Sequence, residues 1–449
     1  MVSKKQTKKF IYYFGDHCAE GNGKMKDLLG GKGAGLAEMT NSRVPVPAGF
    51  TMTTEVCNYF YDHQGKLPSV LDRQVEVAVK KVEKSTGKKF GNSKNPLLFS
   101  VRSGAKFSMP GMMDTVLNLG LNDEVITGFI KLTDNPRFVY DTYRRFLHMF
   151  GNVVLGIEKA EFEEILTNLK KELNVKSDFD LREKDLEGLI KQYKALIKEK
   201  TGRAIPNDVY QQLSMSYQAV FKSWNNPRAQ TYRRLNKISD KLGTAVNIQA
   251  MVFGNMNNDC ATGVGFTRNP ATGEDKFYGE YLINAQGEDV VAGVRTPHQI
   301  EDLKKEMPAV YHQLKTVTKR FEKHYRDVQD FEFTVENNKL YILQTRTGKR
   351  TAKAAVKVAV DMVQEKLIKR EEALMRVEPE QINQLLHPVL DPKAKTQIIG
   401  QGLPASPGAA VGKIIFTSEQ AVILGKEEPL ILVRFETSPD DIHGMDIAQ

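Results

Sequence analysis

The chain has 449 residues, enough for about three domains with cores that need no disulfide or structural metal. Its 64 basic residues against 55 acidic ones leave a formal charge of +9, spread along the chain rather than massed. At 41% hydrophobic and 27% charged it is not globally disordered, and no basic patch or reader motif points to nucleic acid. Three scattered cysteines, Cys18, Cys57 and Cys260, make neither a disulfide framework nor a four-cysteine zinc site, so a reducing, cytoplasmic setting is expected. No apolar run reaches membrane-spanning length, and the opening MVSKKQTKKFIYYF lacks the apolar stretch of a secretory signal.

To about residue 120, short apolar runs alternate with glycine and proline, and Pro96 opens an expected strand over residues 97–103. Residues 120–225 change character. Phe162, Ile165, Leu166, Leu169 and Leu173 recur at helical spacing, as do Leu186, Leu189, Ile190, Tyr193, Leu196 and Ile197. Leu213, Tyr217, Val220, Phe221 and Trp224 form a third such stripe, and all three read as core faces of a helical insertion. Strand texture returns at residues 246–248 and 250–253, before a polar turn. Residues 331–335 alternate apolar with polar, and 340–343 follow after Glu336-Asn337-Asn338-Lys339, a hairpin signal. Residues 351–392 are helical and charged, closing with His387-Pro388 and Asp391-Pro392, and read as a linker rather than part of a core. Strands are expected at 411–416 and 430–435, and the last residues before Gln449 open a helix.

Four segments carry possible chemistry. In Leu28-Leu29-Gly30-Gly31-Lys32-Gly33-Ala34-Gly35-Leu36, glycines let backbone amides approach a phosphate and Lys32 adds charge; a plain turn before a helix is equally consistent. The spacing is not that of a Walker A loop. Arg102, at a strand end in Ser100-Val101-Arg102-Ser103-Gly104-Ala105-Lys106, can fork onto phosphoryl oxygens, and Met109-Pro110-Gly111-Met112-Met113 suits an adaptable lid. A third segment, from Met251 through Thr262-Gly263 to Arg268, reads as a hairpin able to fold over phosphates, or as an ordinary one. In the fourth, period-two alternation buries Phe331, Phe333 and Val335 with Tyr341 and Leu343, across a loop with an odd number of residues. That parity puts Glu332 on one face with Gln344 and Arg346; with Asp330 near, the oxygens suit Mg²⁺ and Arg346 suits the phosphate it bridges.

Taken together these segments stop being anonymous. LLGGKGAGLAEM, SVRSGAKFSMPGMMDTVLNLGLND, TGVGFTRNPATGE, DFEFT and LYILQTRTGKRT closely resemble the nucleotide-binding part of the pyruvate, phosphate dikinase family, and GLPASPGAAVGKIIF and RFETSPDDIHGM resemble the start of its phosphohistidine domain. The resemblance implies an α+β chain: an ATP-grasp nucleotide-binding fold with a helical insertion, a helical linker and an incomplete α/β swivelling phosphohistidine domain. Its implied parts are a first ATP-grasp subdomain at 1–120, the insertion at 121–207 and a return to the first subdomain at 208–252. A second subdomain with a metal-binding hairpin follows at 253–349, then the linker at 350–393 and part of the phosphohistidine domain at 394–449.

The same resemblance implies roles. Lys32 and Arg102 hold ATP phosphates, with Lys106 beside them and Arg346 as a further clamp. Gly111, Met112 and Met113 close over the transferring group, Thr262 and Gly263 form the phosphate-covering hairpin, and Glu332, Gln344 and Asp330 place Mg²⁺. The family commonly has glycine where Asn257 stands and often arginine where Lys106 stands. Its implied reaction converts ATP, phosphate and pyruvate to AMP, diphosphate and phosphoenolpyruvate through a histidine on the swivelling domain. None of the eight histidines has that motif's context, and His443 reads as structural. The expectation is a chain that binds Mg-ATP without completing a turnover alone, and whose residues 394–449 are its least stable part. Two other readings stand: a non-catalytic ATP-binding protein or complementing partner of a polypeptide carrying the histidine and the pyruvate-binding barrel, and a phosphoenolpyruvate synthase-like chain, against which the SMPGMMDT loop argues.

Overall fold

A computed structural model describes residues 8–291, 296–386, 410–434 and 441–449. The chain divides into two compact units: Met1–Gly263 with Leu282–Pro297 and Glu332–Thr345, and Val264–Tyr281 with His298–Phe331 and Arg346–Gln449. Much of the segment expected to resemble a phosphohistidine domain lies outside the described residues, as do His387-Pro388 and Asp391-Pro392.

In the first unit the strands are β1 (Ile11–Gly15), β2 (Cys18–Ala19), β3 (Gly49–Met52), β4 (Lys89–Phe90), β5 (Pro96–Leu97), β6 (Phe99–Ala105), β7 (Thr115–Leu119) and β8 (Thr244–Ala250). Six of them form one sheet in the order β2-β1-β3-β8-β6-β7, while β4 and β5 make a short parallel pair. The strand expected at 97–103 is thus broken at Leu98; β8 takes in the piece expected at 246–248 but ends at Ala250, so the piece expected at 250–253 is not a strand. Register sorts the side chains. Phe50, Ile248 and Val101 lie in one row, Thr51, Asn247 and Arg102 in the next, so one face is apolar and the other polar.

Helix α1 (Lys26–Asn41) carries the glycine run, with a break at Gly30 (φ 67, ψ 171). A Cβ on Gly33 would stand 2.7 Å from Thr51 and 2.8 Å from Asn247, which puts α1 against the polar face. Helices α2 (Thr54–Asp62) and α3 (Leu71–Thr86) follow, then α4 (Asp123–Thr133), α5 (Pro136–Met149), α6 (Lys159–Glu172) and α7 (Glu183–Thr201). Helices α8 (Val209–Ser223) and α9 (Pro227–Leu235) lead back to β8, and α10 (Gly287–Val291) also belongs to this unit. The three periodic stripes behave as core faces: Phe162 and Leu166, Leu186, Leu189, Ile190, Tyr193 and Ile197, and all five residues from Leu213 to Trp224 are buried.

One interior group gives acid sensitivity. The His148 ring stacks on Phe162 with centroids 5.0 Å apart, and burial, aided by Arg144 and opposed by Glu163, pushes its pKa down to about 4. An unfolded chain holds this imidazole near 6.5, so below that pH the unfolded state binds the extra proton and stability falls as pH drops toward 4. Denaturant midpoints at pH 7 and 4.5 are expected to differ by an acid-induced loss on the order of 2 kcal/mol that His148→Asn reduces. An equal loss in the variant would assign it to other groups.

Strands β9 (Ala261–Phe266), β10 (Tyr278–Ile283), β11 (His298–Gln299), β12 (Gln329–Glu336) and β13 (Lys339–Thr347) form a five-stranded sheet ordered β11-β10-β9-β12-β13. Strand β8 belongs to the other sheet, so the expected hairpin from Met251 to Arg268 does not form; β9 lies between β10 and β12.

The second unit contains α11 (Leu303–Glu306), α12 (Pro308–Tyr325), α13 (Ala352–Gln364), α14 (Arg370–Arg376) and α15 (Pro379–Leu386). Arg268 is buried between Glu322 at 2.9 Å and Glu365 at 2.6 Å. The expected linker opens with a helix that is no linker: Val358 and Met362 of α13 pack with Val328 and Ile368 in a buried cluster. Alanines at 352, 354, 355 and 359 give α13 a flat buried face, which its charged neighbours obscure in the sequence. Near the end, β14 (Lys413–Ile415) pairs in parallel with β15 (Leu430–Leu432), followed in turn by α16 (Ser418–Leu424) between them and α17 (Ile442–Met445). Strand β14 is shorter than the 411–416 expected, and Val411 is 86% exposed. Among the described residues no helix is long and apolar enough to cross a membrane.

Candidate nucleotide site

The polar face of the six-stranded sheet is built around Arg102. Strand β6 places its side chain in register with Asn247 of β8, and an Nη2–H donates to the side-chain Oε1 of Gln249 and, at 3.5 Å, to the carbonyl of Leu343. The Nε–H is buried with no hydrogen-bond partner, and among the described residues no acid closes an ion pair on this guanidinium. Burial therefore works against its charge, and the Glu332 carboxylate offsets part of that penalty. A half-buried cation with an enclosed, unused donor is what an anionic ligand completes.

Gln249 holds Arg102 in place and spends its own amide on the Pro47 carbonyl at 3.0 Å. Asn247 accepts from the Thr51 hydroxyl at 2.9 Å, while its Nδ2 is buried without a partner. Neither amide was singled out from the sequence. The signal was present, since Asn247 and Gln249 alternate with Val246 and Ile248 inside an otherwise apolar strand.

Lys32 follows the break in α1. The glycines around it serve close packing: a Cβ on Gly30 would sit 1.6 Å from the Gly104 carbonyl oxygen, and one on Gly31 would sit 3.1 Å from that of Lys106. This approach brings Lys32 beside β6, its Cβ 3.5 Å from where one on Gly104 would stand. Lys106 pairs with Asp27, in the first turn of α1, at 2.5 Å.

Glu332 and Gln344 converge, the Gln344 Nε2–H donating to the Glu332 carboxylate. The route differs from the expected parity. Asn337 and Asn338 both take left-handed backbone (φ 48 and 60), a two-residue turn rather than an odd loop. Phe331, Phe333 and Val335 are buried as expected, but with Leu340 and Ile342 rather than Tyr341 and Leu343. Strict alternation from Ile342 would bury Gln344 on that side, so β13 loses its alternation between the two, as a one-residue bulge would do. The Ile342 N–H bonds the Pro45 carbonyl at 2.7 Å.

In the second unit Asp330 and Arg346 pair with each other at 2.7 Å. Thr262 is buried, its hydroxyl 3.3 Å from the Phe333 carbonyl and 3.5 Å from the Thr334 hydroxyl, so it is part of the sheet interior. Gly111, Met112 and Met113 lie in the loop between β6 and β7, with Gly111 at φ 70 and Met112 buried. Among the described residues no three His, Cys, Asp or Glu side chains gather as a metal site.

The fold and this face define an α+β protein of the ATP-grasp type. The family model described as "Pyruvate phosphate dikinase, AMP/ATP-binding domain" matches residues 26–76, 64–316 and 308–367, and the chain belongs to that family. It is 52% identical to "Pyruvate, phosphate dikinase" of Clostridium symbiosum over 445 residues, 98% of this chain and 50% of that protein. The protein of the same name in Rickettsia typhi is 52% identical over 446 residues, 98% of this chain and 51% of its own length. "Pyruvate, phosphate dikinase 1, chloroplastic" of Zea mays is 52% identical over 445 residues, 98% of this chain and 47% of that one. The chain thus spans about half the length of the curated relatives it matches.

Proposed function

We propose that this chain binds ATP with magnesium and serves as the phosphoryl-donor part of a pyruvate, phosphate dikinase reaction, in which ATP, phosphate and pyruvate yield AMP, diphosphate and phosphoenolpyruvate. The observation that carries the reading is Arg102: a half-buried guanidinium with an enclosed, unused Nε–H, near the Glu332 carboxylate and, among the described residues, in no ion pair. Lys32 and Lys106 add charge from α1 and from the end of β6, and the Gly111–Met113 loop covers the transferring group. Arg346 and Asp330 enter from the family resemblance, as do the subdomain limits at 120, 207, 252, 349 and 393, while a cytoplasmic setting rests on the scattered cysteines. Thr262 and Gly263, as a phosphate-covering pair, likewise enter from the family resemblance alone.

Glu332 supplies a hard carboxylate oxygen and Gln344 an amide oxygen; this donor set fits magnesium, which takes one or two protein oxygens and fills its other positions with phosphate and water. A bound magnesium ion neutralises phosphoryl charge. Arg102, held by Gln249, orients the phosphates in a partly dry setting where each charge–charge contact is stronger than in water. The names of the matched relatives favour this reading over a phosphoenolpyruvate synthase-like one.

Isothermal titration of ATP with and without magnesium tests it. Saturable one-to-one binding that magnesium tightens and AMP competes is expected; heat that neither magnesium nor AMP alters would refute the reading.

A further inference from the structure

The loop that joins β6 to β7 is tied down from one side. The Met112 carbonyl accepts from Asn226 Nδ2 at 3.0 Å and from Arg228 Nε at 3.2 Å. The Nη2 of Arg228 meets the Asp114 carboxylate at 2.5 Å. The Asp114 N–H donates to the Ser223 hydroxyl at 3.2 Å, and the Tyr232 hydroxyl to the Ser108 carbonyl at 3.4 Å. Met109 and Met112 turn inward and are buried.

The anchor is itself rigid. Asn226 caps α9, accepting from the Ala229 N–H at 2.7 Å, and Arg233 stacks on buried Trp224 at 4.1 Å while pairing with Asp240 at 2.6 Å. The loop is also coupled to the nucleotide face through its stem. Strand β7 begins at Thr115, next to Asp114, and Thr115 is the direct cross-strand partner of Arg102. Fixing Asp114 therefore fixes the residue that flanks Arg102, and fixing Met112 sets Gly111 and Met113. A lysine at 228 would offer one compact ammonium in place of the two separate nitrogens that reach the Met112 carbonyl and the Asp114 carboxylate, so it matches this pair less well.

We propose that Arg228 is the positioning residue for the Gly111–Met113 loop, setting it for the terminal phosphoryl group of a bound nucleoside triphosphate. This rests on the nucleotide-binding reading above. A group acting through the loop affects ligands long enough to reach it and spares those that are not, which separates positioning from general support.

The test is affinity for ATP and for AMP, both with magnesium, in the full chain and its Arg228→Ala, Arg228→Lys and Asp114→Asn variants. Arg228→Ala is expected to weaken ATP by about 10-fold, the worth of a charge-assisted hydrogen bond, with AMP unchanged. Arg228→Lys should recover part of the loss, Asp114→Asn should reproduce part of it, and trypsin should cut faster after Lys106 in Arg228→Ala. If Arg228→Ala does not fold, the lysine and Asp114→Asn variants carry the comparison. Equal losses for ATP and AMP, or no loss in a wild type that binds ATP, overturn the proposal alone. A wild type that binds neither nucleotide overturns it together with the nucleotide-binding reading.

Discussion

Replacing Arg102 with methionine is expected to lower ATP affinity by at least about 100-fold, the equivalent of about 3 kcal/mol, while leaving the fold at least as stable. The two halves of this result belong together. Arg102 is half-buried with its Nε–H fully enclosed and, among the described residues, unpartnered, while neutral oxygens receive its Nη2 donor. A desolvated cation without an ion pair is a liability to the empty protein, and an apolar side chain of similar length relieves it by up to about 1 kcal/mol. Arg268 is the contrast: locked between Glu322 and Glu365, it is a structural cation whose partners need it. Thermal unfolding and titration of the same Arg102→Met sample separate the cases, since a structural Arg102 would lower the melting temperature.

Gly30→Ala is expected to destabilise the first unit by about 4 kcal/mol or more. Gly30 holds φ 67 and ψ 171, a conformation close to glycine-only, and an added Cβ would stand 1.6 Å from the Gly104 carbonyl oxygen. That neighbour is backbone of β6 and cannot move aside without dragging Arg102's strand with it. The control lies five residues on. A Cβ on Gly35 would meet nothing closer than the Thr345 carbonyl at 3.7 Å, so Gly35→Ala should be neutral or stabilising by up to about 1 kcal/mol. Chemical denaturation of both variants checks the pair; similar midpoints would mean that the close approach of α1 to β6 is wrong.

The parts of this molecule legible in its sequence are those governed by short-range periodicity. Three stripes from Phe162 to Trp224 gave buried helix faces because helical spacing survives any tertiary arrangement. Phe331, Phe333 and Val335 were legible for the same reason with period two. Their partners were not. The odd loop follows from unbroken alternation in β13, and the loss of alternation between Ile342 and Gln344 has no local residue signature. Glu332 and Gln344 still meet, through a two-residue Asn337-Asn338 turn followed by that irregularity. The glycine run fits room for a phosphate and a plain turn equally, and Gly30, Gly31 and Gly33 also admit backbone and side chains of the sheet. Glycine says that something comes close without saying what. The hold of Gln249 on Arg102 and of Arg228 on Asp114 spans more than a hundred residues in each case, beyond any local pattern.

A crystal structure of the chain with magnesium and a non-hydrolysable ATP analogue tests the central claim most directly. The account predicts phosphate oxygens on the Arg102 guanidinium and metal density at Glu332 and Gln344. A triphosphate bound away from Arg102, with the Gln249–Arg102–Leu343 contacts undisturbed, would contradict it.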